Sequence, residues 1–307
     1  MSRLEAQSPR YGEKAIHGLL AVCGILSVLT TTAIVISLIG PTIGFFKIVP
    51  ASEFFFSFDW TPQFEPPGFG VLAIVIGTLN VTLWAMLFAI PIGLGAAIYL
   101  SEYAPPRVRK TLKPVLEVLA GIPTVAIGLF ALTFLLPHLI QALWPGGFLG
   151  GADGKPFMAL AASLGIGLMV VPIIASLSDD AMTAVPRGLR EGAYALGATK
   201  ARVATGVVFP AALSGIVASI VLAISRAVGE TMIVVIAGGS NPHATFNPVE
   251  SIQAMTSYIA VTATGDIPTG SIDYKSVFAV GTVLFFMTLV MNVISIRLVR
   301  RFREVYD

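Results

Sequence analysis

The chain has 307 residues, 55% of them hydrophobic and 12% charged, with a formal net charge of +2. Soluble domains carry about 25% charged residues, so this composition excludes a soluble enzyme or nucleic-acid binder and points to an all-α, polytopic membrane protein. A mean hydropathy of +0.86 agrees.

Six apolar stretches, at 16–39, 69–100, 114–136, 157–177, 209–239 and 276–298, each reach the roughly 20 residues that a crossing helix needs. The first holds Cys23, the sole cysteine, so no intrachain disulfide can form. Leu20-Ala21-Val22-Cys23 loosely resembles a lipoprotein cleavage site, but Val22 stands where a small residue is wanted. The stretch therefore reads as an uncleaved anchor. Phe54, Phe55, Phe56 and Trp60 follow in the first outer loop, with Trp144 in the second. They suit an interfacial aromatic belt and, equally, the core of a small external cap. The second and fifth stretches exceed a straight crossing; tilt, a kink at Pro91 or a break at Gly229 would absorb the surplus. Gly93, Gly95 and Ala97 suit close helix packing. Asn80-Val81-Thr82 matches a glycosylation sequon by chance, since it lies inside the second stretch.

Basic residues fix the expected orientation. Arg3, Arg10 and Lys14 precede the first stretch, and Arg107, Arg109, Lys110 and Lys113 fill the second connection. Arg187, Arg190, Lys200 and Arg202 fill the fourth, and Arg297, Arg300, Arg301 and Arg303 close the chain. The alternate loops share Lys47, Lys155 and Lys275. Both termini are thus expected in the cytoplasm.

The fourth connection, about 178–210, differs in kind. It reads as helical from Asp179 to Lys200, with Leu189, Ala193 and Leu196 recurring at helical spacing. Gly197 interrupts it, a second short helix starts at Thr199, and Pro210 leads into the next span. Such a helix-turn-helix, in a chain with little other mass on that side, calls for a protein partner.

Catalytic equipment is missing. Around Gly154-Lys155-Pro156 a phosphate-cradling loop would need glycine at Leu149 and a hydroxyl at Pro156. His17, His138 and His243 are scattered and, with one cysteine, give no metal-ligand spacing. Neither a cofactor nor a metal is expected, and no residue is read as catalytic.

Three charges fall in or beside spans. Glu117 stands four residues after Lys113 and is expected to pair with it. Arg226 and Glu230 stand one turn apart in the fifth stretch, where a charge costs roughly 2.5 to 3.5 kcal/mol at the bilayer centre. They read as a self-neutralised pair or as a site whose guanidinium keeps donors free for a travelling oxyanion, with Thr231 adding a hydroxyl. Thr78 and Thr82, a turn apart in the second stretch, line a polar path or bond back to their own helix.

Glu191-Gly192-Ala193, Gly197, Val207 and Phe209-Pro210 resemble, at intact spacing, the EAA motif of ABC importer permeases. Gly192 for alanine and Phe209 for leucine depart from that pattern. Ser101-Glu102-Tyr103-Ala104-Pro105-Pro106, Leu119-Ala120-Gly121-Ile122-Pro123-Thr124, Val185-Pro186-Arg187 and Arg226-Ala227-Val228-Gly229-Glu230-Thr231 are similar to phosphate-import permeases. Phe58-Asp59-Trp60-Thr61-Pro62 and Phe69-Gly70 resemble the PstC branch more than its partner PstA.

The resemblance implies the type I, MetI-like permease fold. It implies 1–68 as terminus, first helix and outer loop, 69–298 as the permease domain and 299–307 as a basic tail. The implied partners are membrane lipid, a PstA-like second permease, a PstB-like ATPase dimer and a PstS-like phosphate-binding protein. Arg226 and Glu230 match that family's residues implicated in phosphate passage. Glu191, Gly192, Ala193, Gly197 and Pro210 match the seat of the ATPase, whose closure would rock the fourth and fifth spans. A permease for sulfate or molybdate, and an ion-coupled carrier using Glu230 as a proton site, stay open as alternatives.

Overall fold

The computed structural model describes residues 11–143 and 155–301. Among the described residues, four helices are long and apolar enough to cross a membrane, or up to six segments where each of two bent helix pairs counts as one span. The first span is one helix, Tyr11–Phe46, whose most apolar stretch is entirely exposed. It lies beside the last span, Ile272–Arg301, where the Thr42 and Thr282 hydroxyls meet at 2.9 Å.

Next comes a short helix, Ala51–Phe56, and a two-residue hairpin pairing Trp60 with Phe69 and Thr61 with Gly68. Phe45, Phe54, Trp60, Phe69 and Tyr258 close edge-to-face into one buried aromatic cluster. Of the two aromatic readings, the cap core holds for Phe54 and Trp60, while Phe55 and Phe56 stay exposed. Trp144 lies outside the described residues.

The second span, Leu72–Ile98, runs unbroken through Pro91 and widens into a π-helical turn at Tyr99–Tyr103. It packs along the fourth span, Ala159–Thr183. At Gly93 the Ile174 side chain approaches so closely that an added Cβ would meet it at 2.8 Å. Small side chains at Ala85, Ala89, Ala131, Ala161, Ala162 and Ala223 fill the same core, the usual way for membrane helices to bring backbones together. Gly95 departs from its expected role, having no neighbour where its Cβ would be.

The third and fifth stretches are not straight spans. Pro106–Ala120 is an amphipathic helix with no buried residue, set at 92° to the segment Thr124–Ile140 that follows. Pro123 explains the corner, because a proline pushes the residue before it out of helical geometry. The span expected from 114 therefore starts only at Thr124. Its basic half is held elsewhere than expected. Lys113 ignores Glu117 and bonds Asp180, with the buried Asp179 at 3.5 Å, while Arg109 meets both oxygens of Asp179 at 2.9 and 3.0 Å. The fifth stretch begins with Lys200–Ala211, turns by 72° into Leu213–Val228, and breaks again at 229–231.

An irregular segment, 240–254, caps the bundle end near the hairpin. Its Pro248 and Glu250 carbonyls accept the Leu160 and Ala159 N–H groups at 2.7 and 2.9 Å. Those donors open the fourth span and have no partner within their own helix. The buried Asn80 donates to the Thr245 carbonyl at 2.8 Å, which leaves the sequon internal.

Candidate substrate pathway and coupling surface

The helix Leu213–Val228 buries Ile216, Ser219, Ala223 and Ala227 along one stripe and exposes Leu222 and Arg226 along another. Arg226 has no hydrogen-bond or ion-pair partner among the described residues. Of the two readings, the self-neutralised pair with Glu230 is not formed, because the helix ends at Val228 before the four-residue spacing is complete. Glu230 lies in the break, 9% exposed. Its carboxylate accepts the Met232 and Ile233 N–H groups at 3.2 and 3.3 Å, capping the short helical run that follows. The carboxylate and the positive end of that run favour each other.

Thr256 holds the break from the other side, donating to the Glu230 carbonyl at 2.8 Å. Thr231 stands part-exposed beside it, its hydroxyl at 3.4 Å from the Gly229 carbonyl. Next to Arg226, Ser225 donates to Asn292 of the last span at 3.1 Å. Neither Thr256 nor Asn292 stood out in the sequence, although an asparagine within an apolar run was a usable signal. Thr78 and Thr82 are buried, their hydroxyls donating to the Ile74 and Thr78 carbonyls at 2.8 Å. Thr78 also accepts the Met255 N–H at 3.0 Å. Back-bonding describes both, and neither opens to the surface of this chain.

At the opposite end of the fifth stretch, Arg187–Ala195 forms a helix with none of its nine residues buried. The helix expected to run on from Asp179 instead breaks after Thr183, where Pro186 starts a new one. Gly197 follows at φ +78°, a conformation that side chains with a Cβ rarely adopt. Thr199 then caps Lys200–Val203 through the Arg202 N–H. Leu196 at the turn is 90% exposed, and Leu189 and Tyr194 are open too. Glu191 and Gly192 are exposed and Ala193 part-exposed on this element, while Pro210 precedes the 72° turn.

An unpaired guanidinium on an otherwise apolar face suits a chain that passes something polar across a membrane. The helix Arg187–Ala195 and the turn after it leave Leu189, Tyr194 and Leu196 exposed at the other end of the fifth stretch. The class is a transport subunit of the membrane, built as a multi-pass bundle.

Residues 89–304 match the model of the binding-protein-dependent transport system inner membrane component, and the chain belongs to that family. It is 33% identical over 284 residues to the "Probable ABC transporter permease protein YqgH" of Bacillus subtilis, covering 92% of this chain and 88% of that one. It is 34% identical over 263 residues to the phosphate transport system permease protein PstC of Mesorhizobium japonicum, covering 80% and 78%. In fold it is similar to a bacterial alginate ABC transporter solved with its alginate pentasaccharide-bound periplasmic protein. That likeness has a TM-score of 0.65 at 17% identity, over 97% of this chain and all of the other. The expected importer permease fold is the one observed.

Proposed function

We propose that this chain forms half of the passage of an ATP-driven importer that takes inorganic phosphate across the cytoplasmic membrane. The observation that carries the reading is Arg226, exposed and unpaired at the end of a helix otherwise made of apolar and small residues. Left against hydrocarbon, that charge would cost roughly 2.5 to 3.5 kcal/mol. A second permease closing over the open stripe gives it a wet passage instead, and its planar fork suits two oxygens of a phosphate. Broken helices beside a polar site are a recurring way of building such passages. Phosphate rather than another oxyanion is favoured by the likeness to PstC.

Glu230 fixes the break and Thr231 offers a hydroxyl beside it, while Thr78 and Thr82 brace the wall behind. Permease contacts lie within 69–298. The exposed helix carrying Glu191, Gly192 and Ala193, with Gly197 as its turn and Pro210 below, receives an ATPase dimer. A phosphate-loaded binding protein docks on the hairpin side. The basic connections favour a cytoplasmic side for the Glu191 helix and both termini. ATP closure moves this helix and rocks the spans on either side, alternating the exposure of Arg226. The chain acts as a transport subunit, with ATP hydrolysis supplied by the separate ATPase.

Competition tests the substrate. Labelled phosphate taken up by liposomes holding the whole complex should be displaced by unlabelled phosphate and unaffected by sulfate or molybdate at matched concentration. Displacement by sulfate or molybdate in place of phosphate refutes the assignment.

A further inference from the structure

The second span ends in the π-helical turn Tyr99–Tyr103, closed by the Ala104 N–H on the Tyr99 carbonyl at 2.7 Å. Widened turns of this kind shift side chains off the regular helical rhythm and recur at functional positions. Two side chains of this turn meet the Glu191 element, one on each limb. Glu102, its side chain 5% exposed, accepts from Nε and Nη2 of Arg190 at 3.2 and 3.0 Å. Tyr103 lies under Nζ of Lys200, 5.1 Å from its ring centre. Arg190 belongs to the limb before Gly197, and Lys200 to the limb after it.

The remaining Arg190 donors reach the Met182 and Val185 carbonyls at 2.7 and 2.6 Å, where the fourth span ends. One guanidinium therefore ties the exposed helix to the second and fourth spans together. Charge-assisted bonds in a planar fork fix direction as well as distance. That helix buries none of its own residues; besides these polar ties, Ala193 and Ala198 pack against the buried cluster that includes Val185, Val203 and Val208.

We propose that Glu102, with Tyr103 beside it, is the point at which motion of the Glu191 helix enters the second span, Arg190 and Lys200 being the positioning residues that deliver it. Chain connectivity passes a stroke into the fourth and fifth spans, which flank the loop. The second span has no such connection, although it packs along the fourth at Gly93 and Ile174. The Glu102 contact makes the second and fourth spans move as one body rather than shear past each other. The inference rests on the importer reading above.

The test uses the full complex in liposomes, with both permeases, the ATPase dimer and the loaded binding protein. Glu102→Gln keeps the shape and an acceptor oxygen but removes the charge. Its complex yield and ATPase activity should match the unmodified protein, while phosphate imported per ATP falls about fivefold and Glu102→Asp restores most of it. Tyr103→Leu, which leaves the Arg190 pair intact, should lower the same ratio about twofold. Spin labels at Leu87 and Val290, both exposed, in a Cys23→Ser background, give a readout that needs no substrate. Their ATP-dependent distance change should be present in the unmodified complex and lost in Glu102→Gln.

An unchanged phosphate-to-ATP ratio in both variants would overturn the proposal. So would a distance change that survives in Glu102→Gln, or a parallel fall in yield, ATPase and uptake, which marks the contact as structural. An unmodified complex that moves its labels with ATP but imports no phosphate refutes the substrate and leaves the label comparison to decide the coupling.

Discussion

Arg226 has no acidic partner among the described residues, and Glu230, four residues on, commits its carboxylate to two backbone N–H groups. Their apolar surroundings were enough to single both out of the sequence, since an intramembrane charge is too costly to keep without a use. Their separate roles were not legible, because helical spacing presumes a helix that here stops at Val228. The partners that hold the break, Thr256 and the Ser225–Asn292 pair, come from elements far along the chain. No local pattern announces them. Glu230→Ala removes a helix cap, a loss of about 1 kcal/mol, so the melting midpoint of the purified complex should fall modestly. Glu230→Gln retains an accepting oxygen and should melt close to the unmodified protein, which separates the cap from the charge when both are assayed for uptake.

Among the elements, hydropathy located the four long helices and the two bent pairs, and the fifth stretch breaks at Gly229, one of the expected ways to absorb its surplus. Hydropathy could not locate the corner at Pro123, since 106–120 continues the helix in amphipathic form. The turn at Gly197 was readable from one residue type, whereas Arg190 and Glu102 are 88 residues apart and meet only in the fold. The Lys113–Glu117 expectation failed for the same reason, a distant acid winning over a near one. That basic helix is pinned to the fourth span by the buried Asp179. Arg109→Ala leaves this carboxylate with only the longer Lys113 and Thr183 contacts, each at 3.5 Å, and should destabilise the complex by about 2 kcal/mol, seen as a lower melting midpoint. The Asp180 hydrogen bond, more than the two nearby charges, raises the Lys113 pKa above its ordinary 10.5. The pair therefore contributes fully below that value and is lost only as pH climbs through the raised one. The Arg109→Ala deficit should accordingly be equal at pH 7 and pH 9.

For the whole molecule, composition and span count gave the class, and the EAA spacing gave the superfamily. Neither gave the arrangement in which the second and fourth spans form the centre, the first lies outside, and one stripe of the fifth stays open. That arrangement follows from close packing at positions such as Gly93, which depends on what faces them. On the proposed reading, the open stripe makes Arg226 part of one half of a passage. Its most direct test is ATP-dependent uptake of labelled phosphate by liposomes containing the complete complex, with Arg226→Gln beside the unmodified chain at equal assembly. Loss of one intramembrane charge-assisted contact should lower uptake by at least about tenfold, with Arg226→Lys keeping part of it. Undiminished uptake by Arg226→Gln would contradict a phosphate path along this helix.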